Sequence, residues 1–164
     1  MILKSSLHGQ LVLKNENHKL IKNAVLDYAN GNGAVKNSCG EYDFPLGTVI
    51  PVKIKDEDYR LLALSKLNKN YESHTDSVEY MCMLMNMWKN LYKNYAMKDI
   101  VIPVLGAGIT RFDSGKDEPI ELIRCILHAL AYSDIHFKSK IKIVIYDAAD
   151  YKPCDIYSLK HIDS

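Results

Sequence analysis

Ile100-Val101-Ile102-Pro103-Val104-Leu105-Gly106-Ala107-Gly108-Ile109-Thr110-Arg111-Phe112 opens as an apolar, β-branched run and breaks into Gly-Ala-Gly, with an arginine three residues beyond the second glycine. A buried parallel strand reads as a continuous run of this kind. A glycine-rich exit lets the backbone approach a ligand closely. Backbone N–H groups in such a loop can line an anion, and Arg111 would add a fixed charge for a phosphate. A tight strand-to-loop turn with no ligand fits the same glycines. The loop is not a Walker motif, since no Gly-Lys-Ser/Thr follows. It is also not a full dinucleotide fingerprint, because Gly108 runs into Ile-Thr-Arg.

The flanking segments set that run in an alternating pattern. Downstream, Pro119 stands at a natural first helical position behind Asp117-Glu118, and the helix is expected to carry Ile120, Ile123, Leu127 and Leu130 inward. Ile141 to Tyr146 reads as a last strand, followed by a polar tail. Upstream, Asp76 caps a long helix with Glu79 at the reciprocal capping-box position. The stripe Val78, Met81, Met85, Trp88, Leu91, Tyr92 and Tyr95 is expected to face the core. Gly47 to Ile54 reads as a strand, with Pro51 hinting at an edge or bulge. Asp56-Glu57-Asp58 is a polar turn, and Tyr59 to Leu67 a strand apolar enough to be buried on both faces. Leu20, Ile21, Ala24, Val25 and Tyr28 have helical spacing, stopped by Asn30-Gly31-Asn32-Gly33. The order helix–β–β–helix–β–helix–β predicts an α/β sandwich with a mixed, partly parallel sheet. In such folds ligands bind beyond the carboxyl ends of parallel strands, where the Gly106–Gly108 loop lies.

At 164 residues the chain is large enough to bury a core without staples. Its net charge of +1, from 21 basic and 20 acidic residues, gives no global field toward nucleic acid or membrane. Lys138, Lys140 and Lys142 alternate as on the solvated edge of a strand. Cys39, Cys82, Cys125 and Cys154 form no C-x-x-C or Cys/His knuckle, which argues against zinc. Cys82 and Cys125 read as small core residues, and a reducing, cytosolic setting is the simplest account. No apolar run reaches membrane-spanning length.

No catalytic constellation stands out: there is no G-x-S-x-G elbow, and Asp56 and Asp58 read as solvated charges. Ser5-Ser6-Leu7-His8-Gly9 is a second candidate ligand segment. A helix start with serine hydroxyls is a ready anion site, although a plain cap with exposed His8 fits as well.

Several pieces, in order, resemble the macro-domain family of the Thoeris antiphage ThsA proteins. They are Ser6-Leu7-His8-Gly9-Gln10, Pro45-Leu46-Gly47-Thr48, Tyr59 to Lys66, Met87-Trp88, Ile102 to Phe112, and Lys142 to Tyr146. The resemblance implies a macro-type three-layer α/β/α sandwich over residues 1–150, with a C-terminal tail over 151–164. It implies a non-catalytic sensor, with no cofactor, for an ADP-ribose conjugate that a TIR-domain enzyme makes from NAD. Ligand binding would drive homo-oligomeric assembly. Gly106, Ala107, Gly108, Ile109 and Thr110 would wrap the diphosphate, and Arg111 would pair with it or brace the loop. Ser6, His8 and Gly9 would contribute from the helix start, and Gly47 and Thr48 from a neighbouring strand end. Members usually carry one or two strands, and often membrane helices, before the Ser-Leu-His-Gly segment, so a copy lacking the first strands is expected here. Two other readings are an ADP-ribosyl hydrolase and an interaction module without ligand. The first would use Tyr28 to Val35, which is similar to the Asn- and Gly-rich loop of those enzymes but has the spacing of a helix stop.

Overall fold

Helix α1 (Asn17–Gly31) lays Ile21 and Ala24 against a two-stranded hairpin, β1 (Val49–Ile54) and β2 (Glu57–Leu62). The structure is a computed structural model that describes residues 11, 17–32, 34–37, 40–67, 73–107, 111–112, 118–146 and 151–161. The Ser5–Gly9 helix start therefore lies outside the described residues. The hairpin is antiparallel, with Val49 opposite Leu62 and Ile54 opposite Glu57. Ile50, Val52 and Ile54 alternate inward while Pro51 and Lys53 are exposed. Val49 packs instead with the main core around the central helices.

The Tyr59–Leu67 stretch is not one doubly buried strand. β2 begins at Glu57, its residues are exposed or half-buried, and the chain leaves it at Ala63. An antiparallel hairpin needs only one covered face, so an apolar sequence there does not require two. β3 (Lys66–Leu67) then pairs antiparallel with β4 (Ser73–Thr75). Neither short strand has enough residues to show a period.

Asp76 caps helix α2 (Ser77–Asn94), its carboxylate accepting the Glu79 N–H at 2.8 Å. Glu79 turns its own carboxylate to Lys66, 3.2 Å away. The buried face of α2 is Tyr80, Met83, Leu84, Met87, Trp88 and Leu91, a helical stripe turned about one residue from the expected one. Val78 and Tyr92 are exposed, and so is Cys82, which is therefore not a core cysteine.

β5 (Ile100–Pro103) points Ile100 and Ile102 into the core, and β6 (Arg111–Phe112) pairs parallel with β4. Helix α3 (Pro119–Tyr132) buries Leu122, Ile123, Ile126 and Ala129, with Ile120, Leu127 and Leu130 only half-buried. It is locked to α2 by the Trp88 indole N–H, which donates to the Ile126 carbonyl at 3.1 Å. β7 (Ile141–Val144) runs parallel to β5, from Ile100 opposite Ile141 to Pro103 opposite Val144. The described strands thus form three small ladders, β1–β2, β3–β4–β6 and β5–β7, mixing parallel and antiparallel pairs in an α/β fold. Where a polar tail was expected, helix α4 (Pro153–Ser158) and a 3₁₀ turn (Leu159–His161) follow. Arg124 holds that segment through Ser158 Oγ at 2.9 Å. No helix among the described residues is long and apolar enough to cross a membrane.

Candidate functional site

Because β5 and β7 are parallel, the chain leaves the carboxyl end of β5 straight into Val104-Leu105-Gly106, the position where α/β folds take ligands. Gly106 is buried with φ 85°, a left-handed conformation that disfavours any side chain. Space is not the constraint: a Cβ there would meet Phe112 Cζ at 3.5 Å and Tyr80 Cε2 at 3.7 Å, ordinary contact distances. Tyr80, on the first turn of α2, donates from its hydroxyl to the Leu105 carbonyl at 2.8 Å. Its ring meets Phe112 edge-on, with centroids 5.1 Å apart at 87°. The loop is therefore held on both sides by one side chain. Burial, with a smaller contribution from Cys125, raises the Tyr80 phenol well above its ordinary value, so it remains a donor.

Ala107 is exposed just beyond Gly106. The Arg111 backbone lies in β6 opposite His74. Gly108, Ile109 and Thr110 lie outside the described residues, as do Ser6, His8 and Gly9.

Gly47 and Thr48 lean on the same helix further along. Gly47 has φ 84°, and a Cβ there would stand 2.5 Å from the Met83 carbonyl and 2.8 Å from the Met87 nitrogen. The Gly47 carbonyl accepts from Asn90 Nδ2 at 3.0 Å, and the Leu46 carbonyl from Asn86 Nδ2 at 3.2 Å. Thr48 is buried, and its hydroxyl donates to the Pro45 carbonyl at 2.7 Å. The geometry gives both residues a packing and turn-closing role. Tyr80 and Met83 are one helical turn apart on α2, so the two predicted segments share a wall. A groove of about 390 Å³ lies at the Gly47 end, lined by Pro45, Leu46, Lys66, Asp76, Glu79, Cys82 and Met83, and neither Tyr80 nor Gly106 lines it. A larger cavity of about 490 Å³ lies away from it, lined by Leu127, the Asp134–Phe137 loop, Ser139, Ile141 and Leu159.

Sequence reasoning missed Tyr80, because the expected inward stripe ran through Met81 and Met85. The hydroxyl that reaches Leu105 leaves no local signature 25 residues earlier. Asn30 and Gly31 close α1 as the spacing predicts, and Asn30 Oδ1 accepts from the Tyr42 hydroxyl at 3.3 Å. Among the described residues no group of three His, Cys, Asp or Glu side chains could hold a metal ion.

A family model described as "Thoeris protein ThsA, Macro domain" matches residues 1–146. The Thoeris protein ThsA of Bacillus amyloliquefaciens (strain Y2) is 30% identical over 122 residues, which covers 73% of this chain and 39% of that protein. The chain thus spans about two fifths of the length of that relative. The family match contains all three candidate segments and ends before α4.

Proposed function

The chain belongs to the ThsA macro-domain family of Thoeris proteins, and we propose that it is a non-catalytic receptor for an ADP-ribose-derived nucleotide in antiphage defence. The observation that carries this reading is the loop at the carboxyl end of β5, where a buried left-handed Gly106 is followed by exposed Ala107. Backbone there can approach a diphosphate without a side chain in the way. The N–H groups of residues 107–110 supply the anion contacts, and Arg111 pairs with a phosphate or braces the loop. Binding acts through differential affinity for two states of assembly, not through a chemical step. The ligand is the product of a TIR-domain enzyme acting on NAD. The hydrolase reading draws no support from Asn30 and Gly31, which close a helix rather than leave a strand.

Isothermal titration with ADP-ribose and with histidine-linked ADP-ribose tests the proposal. Saturable binding is expected, lost in Arg111→Ala and in Gly108→Val while the fold survives. A folded wild-type chain that takes up neither compound overturns it. Release of ADP-ribose from a modified protein, abolished by Asn30→Ala, would replace it with the hydrolase reading.

A further inference from the structure

Resting on the nucleotide reading, we infer that Tyr80 is the positioning residue of the site, fixing through its hydroxyl where the glycine loop stands when ligand arrives. Tyr80 is 2% exposed, and its neighbours in the core are apolar. A buried hydroxyl must find a partner or carry its desolvation cost. Here the partner is a loop carbonyl, Leu105, directly before Gly106, instead of a carbonyl of the helix itself. On the other side of the loop the same ring sets the position of Phe112. It also forms part of the floor beneath Gly106, with Cε2 3.7 Å from where a Cβ would stand. One rigid side chain on a capped helix thus touches Leu105, the floor beneath Gly106, and Phe112. Preorganisation of this kind strengthens binding by lowering the ordering cost that a ligand must meet.

Tyr80→Phe removes the donor and keeps the ring. It is expected to weaken ADP-ribose binding about tenfold, equivalent to about 1.4 kcal/mol, and to speed amide exchange at residues 104–107 and 111–112. Trp88→Phe, which removes a comparable buried donor facing α3 instead of the loop, is the control and leaves affinity unchanged. Phe112→Leu frees the far end of the loop and is expected to weaken binding in the same direction. Unchanged affinity in Tyr80→Phe, with the wild type binding normally, overturns the positioning role alone. An equal loss in Trp88→Phe also overturns it, since any damage to the core would then suffice. A wild-type chain that binds nothing removes the nucleotide reading and this inference with it.

Discussion

Gly47 and Gly106 hold nearly the same backbone angle, φ 84° and φ 85°, and both lean on α2. At Gly47 the helix backbone comes so close that no Cβ fits. At Gly106 a Cβ would find ordinary contacts with two aromatic rings, and only the left-handed angle opposes it. The first turn is closed by Asn86, Asn90 and the Thr48 hydroxyl, while the second leads to an exposed alanine. Glycine in a left-handed turn therefore marks two different needs here, close packing in one place and an open loop in the other. On the proposed reading, it is the second that offers backbone to a ligand.

That contrast is sharpest in substitution. Gly47→Ala combines a backbone clash with the left-handed strain and is expected to cost about 3–5 kcal/mol. Thermal unfolding should show a midpoint lower by roughly 6–20 °C for a domain of this size; a change under 2 °C would erase the distinction. Gly106→Ala carries the strain alone and is expected to cost about 1–2 kcal/mol. Urea unfolding would measure that loss, and a cost equal to that of Gly47→Ala would show that the loop is packed as tightly as the turn.

The smallest effect concerns the base of β5. Asp99 accepts the Lys140 N–H at 3.1 Å and pairs with Lys142 at 3.3 Å, and these contacts hold its carboxyl below the ordinary 3.8. A lowered value means that its contribution is complete above the ordinary value and is lost as pH falls through the lowered one. Acid below pH 3.8 should therefore speed amide exchange at the β5–β7 junction before it affects the Gly47 turn, and Asp99→Asn should remove that difference. The group lies at the surface, so the effect is small.

Local chemistry was readable wherever one residue type dictates one geometry. The Asp76 cap, the Pro119 start, the stop after Asn30-Gly31, and the β-branched runs at Ile100 and Ile141 all stand where their sequences put them. The inward face of α2 was not readable, because Met81, Met83, Met85 and Met87 alternate and supply apolar surface to more than one side of the helix. With no clean polar boundary, two stripes one residue apart score alike, and packing against α3 decides between them. The same ambiguity placed Cys82 in the core. Of the site, the glycine loop was visible as a run of residues, whereas its attachment to Tyr80 depends on a contact across 25 positions.

The join between α2 and α3 carries a consequence of another kind. Trp88 is the chain's one tryptophan, fully sealed from water, with its ring edge-on to Phe137 at 5.8 Å. An indole in such surroundings emits at shorter wavelength than one in water, and no second fluorophore of its type obscures the signal. Any event that parts the two helices shifts that colour, so the native protein carries an optical gauge of its own core and needs no label.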